Sequence, residues 1–459
     1  MLKKYIGNKQ FYKTVLALTI PIMIQNGITY FVSMLDNIMV GRVGTVQMTG
    51  VAVTNQLILV FNLCIFGAVS GAGIFGAQFF GKRDNKGVRD IFRLKILFCM
   101  LLTVIGILIF IFLGKPLISL YLKGDGSAKA AAESFKYARE YMMIMLIGLI
   151  PYALAQCYSS TLRECSESVL PMIAGIIAVG VNLIFNYILI FGNLGAPRLG
   201  VNGAAIATVI SRFVELFVVA FGTYRKRDNN EFIIGAFKSF KIPLFLIKRV
   251  SLKGLPLMLN ETMWAAGMAM LNQCYSTRGL DVVAANNICQ TFFNVFSVSF
   301  IAVGVAIGIV LGQTLGSGDT KKIMDTSAKL IAFSLFVSII VSAVYFMCAG
   351  IIPKMYNTNA DVKLTAEGLM RICALTMPID AFANAAYFTI RSGGKTGVTF
   401  IFDSGFVWVV CVPVAFVLSR FTSLGILTLY AICQCVNIIK CLIGYIFVKR
   451  GSWIKNIVD

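Results

Sequence analysis

The 459-residue chain is 58% hydrophobic and only 13% charged, with a mean hydropathy of +0.83, whereas an ordinary globular domain is about 45–50% apolar and ~25% charged. A soluble fold of this size could not solvate such a surface. The net charge of +21 does not point to nucleic acid, because the Lys and Arg residues gather at the ends of apolar runs; twelve Cys without a CxxC pair and the absence of His exclude the usual zinc and haem spacings and leave no enzyme-like constellation.

The apolar runs have the length of membrane-crossing helices, about 20 residues, and are continuous rather than alternating, which selects helices over a barrel. The first is expected over 14–38. Lys3, Lys4, Lys9 and Lys13 before it resemble the start of a signal peptide, but the run is long, contains Pro21 and ends in Asp36-Asn37, so a retained helix is expected. Asp36 is an ionisable side chain late in this span, which makes it a functional candidate; pairing with Arg42 is its structural alternative. Spans 49–77, 92–113 and 137–160 follow. The fourth leads to Arg163, expected to snorkel at a cytoplasmic helix end.

Span 168–192 carries Asn182 and Asn186, an i, i+4 pair that stacks two amides on one face. Span 202–222 opens on the glycine-rich run Gly200-Val-Asn-Gly-Ala-Ala-Ile-Ala-Thr208. A carboxylate, two amides and the Thr208 hydroxyl make a hard oxygen set suited to a small cation such as Na+, or to a carboxylate that alternately holds a proton. Residues 223–253, the most basic stretch, read as a cytoplasmic linker between lobes 1–222 and 254–459. Glu261 lies in span 254–276 after Pro256, and Asp380 lies in span 366–390 after Pro378, where a kinked backbone favours a wet cavity. Both are candidates for binding a cation or a substrate. Spans 283–314, 328–352, 397–418 and 424–448 complete a set of twelve. With both termini on one side, that side receives about two thirds of the basic residues, which predicts cytoplasmic termini in a cell membrane, plasma or inner.

The chain also repeats itself. A shift of 235 residues aligns 16–90 with 251–325 without a gap, matching Pro21 to Pro256, Gln78 to Gln313, Gly81 to Gly316 and Asp84 to Asp319. A weaker stretch aligns Thr161-Leu-Arg163 with Thr389-Ile-Arg391 at an offset of 228. Six spans per copy is an even number, so both copies enter from the same side and the repeat is parallel. No GxxxxGK[ST] phosphate loop occurs.

Pro21 to Asn26, Leu35-Asp-Asn-Ile-Met-Val-Gly41, Gly76-Ala-Gln-Phe-Phe-Gly81 and Asn182-x-x-x-Asn186 followed by the Gly200–Thr208 run together resemble the multidrug and toxic compound extrusion (MATE) family, prokaryotic type. The resemblance implies an all-α membrane protein of two six-helix bundles, working as a monomer and exporting organic cations and amphipathic drugs in exchange for Na+ or H+. It implies an amino-lobe cation or proton site centred on Asp36, with Asn182, Asn186 and Thr208 beside it, and carboxyl-lobe acids at Glu261 and Asp380. Helix 5 here has amides where some proton-coupled members have an additional acid, which favours sodium. The alternative is a related lipid-linked oligosaccharide flippase, which would need cationic cavity residues where the spans here offer acids and amides.

Overall fold

The computed structural model describes residues 5–122, 128–356 and 358–459; Lys3 and Lys4 lie outside them. The described chain is all-helical, with twelve long helices. These are α1 (Lys9–Gly41), α2 (Thr45–Gly81), α3 (Asn85–Leu122), α4 (Ala128–Glu164), α5 (Val169–Phe191) and α6 (Val201–Arg225). The second set is α7 (Leu244–Ser276), α8 (Leu280–Gly316), α9 (Thr320–Cys348), α10 (Ala360–Ser392), α11 (Thr396–Phe421) and α12 (Ile426–Arg450). Ten are long and apolar enough to cross a membrane. The other two, α7 and α10, are those that carry Glu261 and Asp380, and polar residues inside the apolar run lower their hydropathy.

Local chemistry marks the boundaries. Asn8 caps α1 by accepting the Phe11 backbone N–H on Oδ1 at 2.8 Å. Gly192 ends α5 in the left-handed region at φ 76° and donates its N–H to the Ile188 carbonyl. Pro21, Pro116, Pro151, Pro256 and Pro378 lie inside long helices. Proline at membrane depth is tolerated where neighbouring groups can meet the freed backbone carbonyls.

The chain forms two compact units. The first comprises Ile24–Gly76 and Asn85–Ser251. In it α4 packs against α3, α5 and α6, and α5 packs along α6. Gly203 sets the α5–α6 approach: a Cβ there would sit 2.5 Å from the Leu189 carbonyl oxygen. The basic joint is docked in this unit rather than wholly solvated. Arg93 donates from Nε to the Ala236 carbonyl at 2.7 Å and from Nη2 to Gly235 at 2.8 Å, while Phe232 and Ile233 are buried beneath. A fully buried Lys95 ties α3 to α4, reaching both Glu164 oxygens at 2.6 and 2.7 Å and Ser160 Oγ at 2.7 Å.

The second unit comprises Met1–Met23, Ala77–Asp84 and Leu252–Asp459. In it α10 packs against α8, α9, α11 and α12. The start of α1 supplies Val15 and Leu18 to its core, against Val303, Ile307 and Ala306 of α8. The ends of α2 and α8 meet at the glycines that the repeat pairs. A Cβ on Gly81 would overlap the Gln313 carbonyl, and one on Gly316 would overlap the Gln78 carbonyl. The carboxyl-terminal segment packs here too: Gln78 Nε2 donates to the Ser392 carbonyl at 3.0 Å, the Ile457 N–H donates back to Gln78 Oε1 at 2.8 Å, and Trp453 is buried.

Candidate ion and substrate sites

In the first unit, four side chains singled out from the sequence converge. Asn186 on α5 donates its amide N–H to Asp36 Oδ1 on α1 at 2.6 Å and to Asn182 Oδ1 at 3.0 Å. Asn182 donates to Thr208 Oγ1 on α6 at 3.3 Å. The Thr208 hydroxyl itself donates back to the Ala204 carbonyl at 3.0 Å. The i, i+4 spacing puts both amides on the side of α5 that meets α1 and α6, and the small residues of 203–207 bring α6 close enough for Thr208 to reach them. Asn182 and Asn186 are buried, at 6% and 1% exposure, and Asn186 Oδ1 has no hydrogen-bond partner among the described residues.

The Asn182 amide also lies against Asp36. The end that faces Asp36 lies 3.1 Å from Oδ1 and 3.2 Å from Oδ2. With its nitrogen turned there, the amide donates to an ionised carboxylate. With its oxygen turned there, it faces the two carboxylate oxygens, and the Asn186 amide donates to Asp36 Oδ1 and to Asn182 Oδ1 between them. Nearby, Arg212 of α6 donates to Glu215 Oε2 at 3.2 Å and lies 4.7 Å over the Tyr152 ring.

In the second unit Glu261 and Asp380 have separate partners. Tyr387 donates its hydroxyl to Glu261 Oε1 at 3.3 Å, and Asn437 of α12 donates to Asp380 Oδ1 at 3.4 Å. A further pair, outside the residues singled out from sequence, lies with them: Lys440 Nζ of α12 is 2.6 Å from Asp403 Oδ1 of α11. The signal was present, since both residues fall inside apolar spans. Arg163, expected to snorkel, is turned inward instead, as is Arg391, its match in the repeat. Arg163 donates to Gln25 Oε1 at 2.6 Å, and Arg391 is buried with its guanidinium 5.8 and 5.3 Å over the rings of Tyr387 and Phe388. Aromatic faces offer a guanidinium a closer partner than the headgroups.

The model of the MatE family matches residues 21–188 and 256–417, the two copies of the repeat and most of the chain. The chain belongs to the MatE family. It is 24% identical over 468 residues to the probable multidrug resistance protein NorM of Thermotoga maritima, covering all of this chain and 97% of that one. It is 25% identical to the multidrug resistance protein MdtK of Proteus mirabilis, over 91% of this chain and 89% of that one. Among solved structures, the fold matches an outward-facing multidrug resistance MATE family transporter of the MOP superfamily at a TM-score of 0.83, with 21% identity and coverage of 98% and 97%. It also matches the Vibrio cholerae MATE transporter VcmN at 0.85, with 16% identity and coverage of 97% and 98%. The MatE chain is a multi-pass membrane protein of the two-lobed twelve-helix fold.

Proposed function

We propose that this MatE protein is a cation-coupled antiporter that exports organic cations and amphipathic drugs across the cell membrane, with both termini in the cytoplasm. The relatives named for multidrug resistance support the substrate class. The observation that carries the coupling is the closed set of Asp36, Asn182, Asn186 and Thr208 inside three apolar helices. Its single carboxylate is neutralised when the site takes up Na+ or H+.

Coupling follows from a difference in binding free energy between states. A cation that neutralises Asp36 alters the field and hydration around it, and drug affinity has to differ between the two states, since a ligand bound equally by both shifts nothing. Exchange of one coupling cation for one singly charged drug moves no net charge, so the ion's concentration gradient alone drives it, and a tenfold gradient supplies about 1.4 kcal/mol. Exchange against a neutral drug adds the membrane potential, about 2.3 kcal/mol per charge per 100 mV. The absence of a second carboxylate beside Asp36 on α5 favours sodium, because amide oxygens ligate a bare ion and do not bind protons near neutral pH.

The test is ethidium export from proteoliposomes with sodium and pH gradients imposed one at a time. Export driven by a sodium gradient at fixed pH supports sodium coupling. Export driven by pH alone moves the coupling to protons, and no export under either gradient overturns the antiport reading.

A further inference from the structure

Lys440 and Asp403 stand in a cage that the roles proposed above do not use. Both side chains are largely buried, at 11% and 17% exposure. Asp403 Oδ1 takes the Lys440 ammonium at 2.6 Å, and Oδ2 accepts the Asn260 amide N–H of α7 at 3.0 Å. Asn260 is itself held, since its Oδ1 accepts from the Ser404 N–H at 3.2 Å and from the Ser404 hydroxyl at 2.8 Å. The ammonium lies 5.4 Å from the centre of the Phe402 ring. Phe402, Asp403 and Ser404 are consecutive in the π-helical turn Ile401–Gly405 of α11, and such turns are frequent at functional sites.

A buried ion pair contributes little net stability compared with apolar side chains of the same volume, so stability alone does not account for the arrangement. What surrounds Nζ is the chemistry that recognises a protonated amine: a positioned carboxylate at contact distance and an aromatic face. The ion in the cage is on a flexible four-carbon stem, which leaves by rotamer change without moving backbone. A second carboxylate lies near Lys440. Asp380 accepts from Asn437, one turn before Lys440 on α12, and lies within electrostatic range of Lys440.

The repeat supports a built position. Arg212 precedes Lys440 by 228 residues, the offset of the later aligned stretch, and it too lies between a carboxylate, Glu215, and a ring, Tyr152. The second copy replaces the guanidinium with a compact ammonium, so its cage has the dimensions of a simple alkylammonium.

We propose that Asp403 and Phe402 form a binding site for a protonated alkylamine, kept filled by Lys440 as a tethered ammonium that the ligand displaces. The site extends the export of organic cations to a named recognition element, but it is read by binding and not by transport, so either reading can fail without the other. The experiment uses the purified full-length protein with n-butylammonium, which matches the lysine stem and head, followed by calorimetry and by melting temperature in potassium chloride of matched ionic strength. In the native protein butylammonium competes with an intramolecular ammonium present at an effective concentration of about millimolar or more, so binding is weak. Lys440→Ala should bind it at least roughly tenfold more tightly, with a saturable rise in melting temperature, and Asp403→Asn/Lys440→Ala should lose that gain. Tetramethylammonium, which has no N–H to donate, should show no gain. A structural ion pair predicts instead a lower melting temperature for Lys440→Ala with no butylammonium dependence, and that result overturns the assignment, as does a gain that survives Asp403→Asn. If Lys440→Ala is not recovered folded, Lys440→Gln, which keeps a neutral donor to Asp403, carries the same comparison with the same two outcomes.

Discussion

Replacing Asp36 by Asn keeps the shape of the side chain and removes its charge. Three effects follow. The 2.6 Å hydrogen bond from Asn186 loses its charge assistance, a change of about 1–2 kcal/mol. The oxygen set formed with Asn182 loses its only formal charge. A monovalent cation ~4 Å from a carboxylate is attracted by about 4 kcal/mol at an effective dielectric of 20, so removing that charge should weaken binding nearly a thousandfold, at ~1.4 kcal/mol per decade. Folding should be spared, because a neutral amide is easier to bury than a carboxylate. The assay is sodium-22 binding to purified protein beside ethidium export from proteoliposomes. Binding should fall below detection and gradient-driven export should cease, while the chromatographic profile and melting temperature stay close to wild type. A folded Asp36→Asn protein that binds and exports within about threefold of wild type would refute the role of Asp36 and the electrostatic reasoning with it.

Asn186→Asp adds a carboxylate next to Asp36. Two acids this close share a proton readily, so export should become dependent on a pH gradient and less dependent on sodium; an unchanged ion requirement counts against the proposed basis of selectivity. Gly81→Ala and Gly316→Ala each drive a methyl into a backbone carbonyl of the other copy, which should cost on the order of 1–3 kcal/mol and lower the melting temperature. The pair should be non-additive, since both act on one crossing; additive or absent effects would sink the crossing as a tight contact. Lys95→Met removes the ammonium that holds both oxygens of the buried Glu164 and should destabilise by about 3–5 kcal/mol. Adding Glu164→Gln should restore much of that loss, and a double variant no better than the single one would argue against the pairing. Asn186→Asp is read by proteoliposome export, and the glycine and Lys95 variants by thermal unfolding of purified protein.

Much of the site was legible because its signal is local. A carboxylate, two amides and a hydroxyl at Asp36, Asn182, Asn186 and Thr208 stand out in apolar helices, and the i, i+4 spacing alone sets both amides on one face. Asp403 and Lys440 were equally conspicuous by that criterion. Their meaning was not, because Lys440 reads alone as a basic residue in a span until α11 brings an acid to it.

Hydropathy and self-similarity by themselves determined the number of helices, the parallel repeat and the polar residues that helices would have to shelter from lipid. They could do so because the bilayer solvates each helix almost independently of its neighbours. Only the tertiary structure decided which polar groups meet. It placed Asn186 rather than Thr208 on Asp36, turned Arg163 and Arg391 inward, and closed the cage around Lys440. Each of these depends on how far a helix is rotated about its own axis, at about 100° per residue. A widened turn such as Ile401–Gly405 resets that rotation for everything after it, and no period in the sequence records the reset.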